Sequence, residues 1–515
     1  MTRSCWFLLA PAVVASTRAT WTLTQPGTTG VSAMQLAVMD SKHVVIMDKL
    51  ESNPLMTDRG THALGSMYNL ENNTKRPLNG ISTNTFCAGG GWLSNGTFVS
   101  IGGNPLVESG GTTSPDGLQG DWTNNPNINN PTYEFYPPKN IHGHNGTSIP
   151  MQYLVDTMPH NLFPHLICLG KEIFMLANNI PTLFNWESNT ETRLPILPNN
   201  QRVTYPYSGS VVLLPMKPNS GYQPEVLVCG GSERDETDPT NLSSSTPASA
   251  QCARMVLTPE GIKKGWAVET MPEPRTMHSM VLLPNGKVLI INGAKSGTAG
   301  YGNVQNQVGA SNADNPALQA VVYDPDAPAG QRFSSEGLPT SDIPRMYHST
   351  AALLMDGRVF IAGSNPNLDV STWKYPTEYR VEIFSPPYFL PDLLRPLLVG
   401  LPGVLNFNRP TQLKLQLPKS LQKRGLDLGS CSCFIMDMMF STHGVEMGQR
   451  MVMLPTVSSG PLRSLLDLIP LTITGPPNTD VFQPGPGMVL VGSVQPPVDE
   501  GAIANLLNQI KAPSP

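Results

Sequence analysis

Charge is scarce in this 515-residue chain: Asp, Glu, Lys and Arg make up 14% of it, where about 25% is usual. The 33 basic residues are outnumbered by 38 acidic ones, leaving a net charge of -5. A nucleic-acid binder needs a basic surplus, and none is present. Apolar residues still reach 39%, so the low charge is not that of a disordered chain. Helix-bundle composition is also missing, because breakers are abundant. Seven cysteines are too few for a disulfide-built fold. No apolar run approaches the roughly 20 residues that cross a bilayer, and the C-terminal IKAPSP lacks the apolar tail of a lipid-anchor signal. There is no Gly-x-Ser-x-Gly elbow, no Gly-rich phosphate loop and no His-Glu-x-x-His helix. A serine hydrolase, a nucleotide enzyme and a zincin therefore lack their motifs.

What the chain has in excess is turn formers: 46 Gly and 51 Pro, nearly a fifth of the whole. Tight turns use these residues, so the composition predicts a large, turn-rich, all-β protein. The N-terminus reads as a secretory signal over 1–19. Arg3 starts it, CWFLLAPAVVA forms a short apolar core, and Ala15 or Ala19 offers a small residue for cleavage. Localisation is therefore expected to be extracellular, without a membrane anchor. Four sequons, at Asn72, Asn95, Asn145 and Asn241, agree with a glycoprotein. Cys229 and Cys252 flank a Ser/Thr/Pro-rich loop and are the best disulfide pair. Cys431-x-Cys433 suits a bridge poorly.

A hairpin unit recurs: apolar run, short turn, apolar run, small-residue stop. It reads GGWLSNGTFVSIGGNP at 90–105, SMVLLPNGKVLIINGA at 279–294 and STAALLMDGRVFIAGSNP at 349–366. Looser copies lie at 34–48, 164–179 and 208–232. Asn-Gly and Asp-Gly suit tight hairpins, and continuous Val/Leu/Ile runs suit strands buried on both faces. Spacings of 53–75 residues between stops leave room for one four-stranded sheet per unit. The pattern predicts a Kelch-like β-propeller over 20–385 with six visible units. After the Pro-rich 385–396 connection the repeat stops, and short strands over 386–515 predict an immunoglobulin-like β-sandwich.

Few residues stand out as chemical. His142-Gly-His144 reads as a surface loop beside a sequon, His160 and His165 as structural, and His278 as a histidine without a catalytic partner. Tyr347-His348 precedes the last unit, where an inner strand would line the channel. Neighbours on a regular strand point to opposite faces, so both can reach one metal only at a bend, for which Pro344 is the candidate. His443 follows a strand of the C-terminal domain, in MDMMFSTHGVEMGQR.

The segments CAGGGWLSNGTFVSIGGNP, INNPTYEFYPP, YHSTAALLMDGRVFIAGSNPN, SPPY...RP and FSTHGVEMGQRMVML resemble the secreted copper radical oxidases of the glyoxal oxidase group, relatives of galactose oxidase. The resemblance covers nearly all of the mature chain in order. It implies a seven-bladed propeller, an immunoglobulin-like domain, and a hairpin carrying one histidine into the channel. It implies His348 and His443 as copper-binding histidines and Tyr347 as the axial tyrosine that takes the substrate proton. Cys87 matches the cysteine bonded covalently to a second tyrosine. That pair forms the tyrosyl-cysteine radical, which shares a two-electron oxidation with copper. Implied substrates are small aldehydes or primary alcohols with O2, giving hydrogen peroxide for which extracellular peroxidases are possible users.

One segment departs from the family. The cross-linked tyrosine belongs in an Arg-Trp-Tyr-Pro-Thr segment between GGNP and INNPTYEFYPP, but no Trp-Tyr-Pro occurs here, and Asp121-Trp122 meets Thr123 directly. Tyr133 and Tyr136 are the nearest downstream tyrosines, in a segment matching another part of the pattern. A gene model that skips an exon, a splice form, and a relative with another radical site all fit this join. The alternative function is an inactive propeller that binds cell-wall glycans or proteins.

Overall fold

A computed structural model describes residues 9–14, 20–103, 130–388, 397–416, 432–448, 450–458 and 468–494. Each of the six predicted hairpins forms the inner pair of strands of a sheet. Four of these sheets have four strands, and a fifth has six because a C-terminal hairpin adds two strands to its inner edge. These five begin with Gln35–Val38, His165–Leu169, Ser210–Leu213, Ser279–Leu282 and Ser349–Leu353, and the sixth is the two-stranded pair Gly89–Trp92 and Phe98–Ile101. The first strands of the other five pack in succession, from His165–Leu169 through to Gln35–Val38, which sets these sheets around a common axis, and Gly89–Trp92 packs against the strand Phe440–Thr442. Strands at that axis are covered on both faces, and Val288–Ile291 and Val359–Gly363 are buried throughout. Outer strands such as Thr190–Arg193 and Lys75–Pro77 are polar and largely exposed.

The N-terminal strand Thr22–Thr28 pairs with Arg380–Ser385, so the start of the chain completes the last sheet. Cys229 lies opposite Cys252 on adjacent strands, and the two form the expected disulfide. The two-stranded sheet is the least covered, and Ile101 on its outer strand is 51% exposed. The chain join at 121–123 and Cys431 lie outside the described residues, as does most of the 385–396 connection.

Beyond the connection, Leu397–Val399, Pro410–Gln416, Leu468–Thr474 and Thr456–Ser458 form one sheet face of the C-terminal domain. Met451–Leu454, Ser432–Asp437 and Gly487–Val494 form the other. Leu415, Ile435 and Val452 share one core with Val211, Val226 and Val228 of the ring. The sandwich is thereby fixed against the third and fourth sheets. Leu9–Val14, within the segment read as a secretory leader, pairs with strands from both faces. Among the described residues no helix is long and apolar enough to cross a membrane.

The small-residue stops have a steric cause. A Cβ on Gly231 (φ +83°) would sit 2.0 Å from the Arg202 carbonyl oxygen, and one on Gly293 2.2 Å from that of Thr276. Each stop glycine therefore lets the chain fold back against the backbone leading into its own unit. Gly265, also at positive φ (+76°), has nothing within 4 Å of that position. Gly231→Ala is expected to lower stability by ~2 kcal/mol or more and Gly265→Ala by ~1 kcal/mol. Thermal unfolding of the two variants checks the difference.

Candidate metal and substrate site

Four predicted residues come together at the axis of the ring. Tyr347 and His348 lead into Ser349–Leu353, and Cys87 leads into Gly89–Trp92. His443 arrives from the C-terminal domain on the hairpin Phe440–Thr442 and Val445–Met447, which pairs with the inner edge of Gln35–Val38. His443 and Gly444 form its two-residue turn, with φ of 54° and 75°. Positive φ at both central residues is what the strand twist of a tight hairpin demands. The bend that turns Tyr347 and His348 to one side lies at His348 itself (φ 61°), not at Pro344. The two rings consequently stack, centroids 3.8 Å apart. Cys87 is also left-handed, at φ 57°.

The donor atoms of Cys87, His348 and His443 all lie within 4.8 Å of one another. Cys87 Sγ is 3.5 Å from His443 Nε2, and the Tyr347 hydroxyl also bonds to this sulfur. Neither ring nitrogen of buried His348 closes a well-formed hydrogen bond; the Asn365 backbone exerts only a small opposing pull on its pKa. Burial first, then His443 and Lys49, hold His348 well below the ordinary histidine range. Burial alone brings His443 down to about 3. Burial pushes the Cys87 thiol up to about 12, against the Tyr347 hydrogen bond. Tyr347 is raised by burial and then by Cys87, Tyr205 and Tyr301.

The tautomer of His443 follows from its neighbour. Thr442 Oγ1 donates its single proton to the Met34 carbonyl at 2.9 Å, so at 2.6 Å it must accept from Nδ1–H of His443. Nε2 then carries the lone pair and faces Cys87. Two neutral imidazoles, a phenol and a thiol make a donor set that suits copper.

Sequence reasoning missed several neighbours. Phe163 (φ 55°) stacks on His443 at 3.7 Å between centroids. It sits two residues before its inner strand, as Cys87 does, so the repeat register was the available signal. Tyr205 and Tyr301 line the same pocket as Cys87, Phe163 and Tyr347; Tyr205 lies in a turn before Ser210–Leu213, and Tyr301 ends the strand Ala294–Tyr301, outside the repeated hairpins. Tyr133 packs with Phe135 and Phe184 and donates to Asn189, and Tyr136 is 62% exposed. Neither replaces the missing tyrosine. His142 bonds the Trp186 carbonyl, His160 that of Glu236 and His165 that of Val203. His278 is buried, with both ring nitrogens unpartnered. A larger pocket, of about 200 Å³, lies elsewhere, between Trp92, Cys168, Glu446 and Arg450, and contains none of the predicted site residues.

Residues 127–388 match the glyoxal oxidase N-terminus family, and residues 395–498 match the galactose oxidase-like early set domain. The chain belongs to the glyoxal oxidase family. A glyoxal oxidase relative, "Aldehyde oxidase GLOX" of Vitis pseudoreticulata, is 31% identical over 90% of this chain and 93% of its own. "Aldehyde oxidase GLOX1" of Arabidopsis thaliana is 32% identical over 74% of this chain and 65% of its own. Among solved structures, a fungal alcohol oxidase of the AA5 family in complex with copper aligns with TM-score 0.59 and 15% identity. That alignment covers 92% of this chain and 96% of the other, and it supports the all-β propeller-and-sandwich fold. The chain is an oxidase of the glyoxal oxidase family, and copper is the metal its relationships support. The family match begins past the 121–123 join, so Cys87 and its hairpin lie before it.

The Thr442 hydroxyl orients the His443 imidazole, with Nε2 toward Cys87. Thr442→Val is expected to weaken copper binding by about 10–100-fold while leaving the fold intact. Metal titration followed by isothermal calorimetry checks this.

Proposed function

We propose that this chain is a secreted copper oxidase acting on small aldehydes, as their hydrates, or on primary alcohols. Each turnover would convert substrate and O2 to a carboxylic acid, or an aldehyde, and hydrogen peroxide. The observation that carries this reading is the convergence of Tyr347, His348 and His443 at the ring axis, with unpartnered imidazole nitrogen and almost no exposure. These three residues would hold the copper. Copper, when bound, supplies one-electron redox chemistry and polarises the substrate oxygen.

The remaining roles fall to the chain. Tyr347 would give up its own proton when the metal binds and, as a phenolate, would accept the substrate O–H proton. Phe86, Leu162 and Phe163 form apolar walls over a pocket of about 30 Å³. Such walls exclude water from the reacting end, and the volume favours small substrates. The tyrosine of the family's tyrosyl-cysteine pair is not at its expected place: no tyrosine falls between Cys87 and Tyr133, and Tyr133 lies apart from the site. The tyrosines that share a pocket with Cys87 are Tyr205, Tyr301 and Tyr347, from other parts of the chain. The residues present thus lack the redox partner that the family resemblance implies at that position.

Secretion rests on the 1–19 leader and on four sequon asparagines that are all exposed. Peroxide released outside the cell would be available to extracellular peroxidases. No nucleic acid or membrane anchor enters this reading.

Copper-loaded mature protein should produce peroxide from methylglyoxal. Tyr347→Phe should lower that rate by about 10²–10⁴-fold while copper still binds. Absence of peroxide from the unaltered, metal-loaded protein would contradict the oxidase reading. The missing tyrosine favours a second reading, an inactive propeller that binds cell-wall glycans or proteins. On that reading, affinity for wall polysaccharide persists after copper is chelated, and loss of binding on chelation would reject it.

A further inference from the structure

We propose that Cys87 is itself a ligand of the metal, so that this chain builds a two-histidine, one-thiolate centre with Tyr347 beside it. The inference rests on the reading of Tyr347, His348 and His443 as a metal site. It departs from the thioether role that the family resemblance gives this cysteine.

Four observations carry it. First, Cys87 forms no disulfide, and the family's partner tyrosine is missing from its place, since no tyrosine follows before Tyr133. A thiol left so can ionise to a thiolate and bind a metal. Second, the sulfur already belongs to the donor cluster, within 4.8 Å of the ligand atoms of both histidines. Third, its 3.5 Å separation from His443 Nε2 matches a shared metal. Bonds of about 2.0 Å to nitrogen and about 2.3 Å to sulfur span that distance at an angle close to tetrahedral. Fourth, the nitrogens that would complete the set are ready. His443 presents Nε2 because Thr442 holds Nδ1–H, and His348, 1% exposed, closes no well-formed hydrogen bond from either nitrogen.

The chemistry agrees with the geometry. Two imidazoles and one thiolate, with a weak fourth donor, favour copper among the divalent metals. Binding would displace the thiol proton to solvent, with Tyr347 as the weak fourth donor beside the coordinated sulfur. Three ligands reach the centre from separate parts of the fold: Cys87 from the second sheet, His348 from the last and His443 from the C-terminal hairpin.

The test is titration of the metal-free mature chain with Co(II) under argon, because cobalt is not reduced by a thiolate. The unaltered protein should bind one equivalent and develop a thiolate-to-metal charge-transfer band. Cys87→Ser should abolish the band and weaken binding by at least about tenfold, and His348→Ala should remove both. Iodoacetamide labelling of the unaltered chain needs no substitution: cobalt should protect Cys87 from modification. An identical spectrum and affinity in Cys87→Ser, or undiminished labelling with metal bound, overturns the thiolate ligand while leaving the histidine site standing. If His348→Ala also binds unchanged, the site reading itself fails. Peptide mass mapping supplies a further check: a Cys87 peptide joined to a tyrosine peptide, lighter by two hydrogens, overturns the proposal in favour of a thioether.

Discussion

The pairing of the C-terminal hairpin with the inner edge of the first sheet is the contact on which the site depends. Thr442 faces Gln35 and Phe440 faces Ala37, which fixes His443 at the turn. A slip of one residue would send every side chain of the hairpin to its opposite face. Several groups prevent it. Thr442 bonds the Met34 carbonyl, Ser210 donates to the Gly444 carbonyl, and Phe440 is buried against Phe98 of the second sheet. Gly444 has its would-be Cβ 2.9 Å from the His278 carbonyl oxygen, so the turn is wedged between neighbouring sheets. A domain outside the ring thereby delivers a ligand to its centre, and the shared core of Ile435 and Val452 with Val226 and Val228 holds that domain in place.

Around this contact the ring repeats one backbone device. Cys87, Phe163, Ser208, Met277 and His348 each adopt positive φ just before an inner strand. A non-glycine residue held there costs about 1–3 kcal/mol, which the surrounding packing must offset. Because Ser208 and Met277 share the conformation, it belongs to the architecture and not to catalysis alone. Five of the six units share this bend, and residue type decides the chemistry at each. A thiol at 87 and an imidazole at 348 make donors, while an aromatic at 163 makes the wall that stacks on His443.

Much of this was legible in the chain. Inner strands buried on both faces leave continuous apolar runs, so all six hairpins were found from residues alone. Outer strands were not, because Lys75–Pro77 and Thr190–Arg193 are short, polar and solvent-facing. Thr22–Thr28 closes the last sheet from 350 residues away, a pairing no local pattern announces. Tyr347, His348, His443 and Cys87 were identified through long family-like segments, and their geometry brings them together. Tyr205 and Tyr301 escaped notice because a turn and a strand outside the repeated hairpins position them, and the bend was assigned to Pro344 because a left-handed histidine has no sequence signature. The tyrosine absent from the sequence has no replacement at Tyr133 or Tyr136, so that departure is physical as well as textual.

The central claim is that one metal centre forms where the last sheet, the second sheet and the C-terminal hairpin meet. Anomalous diffraction at the copper edge, from crystals of the copper-loaded protein, tests it most directly. The account predicts a single strong peak enclosed by Cys87, Tyr347, His348 and His443. A crystal containing copper with no peak among those residues, or with its strongest peak at another site, would contradict it.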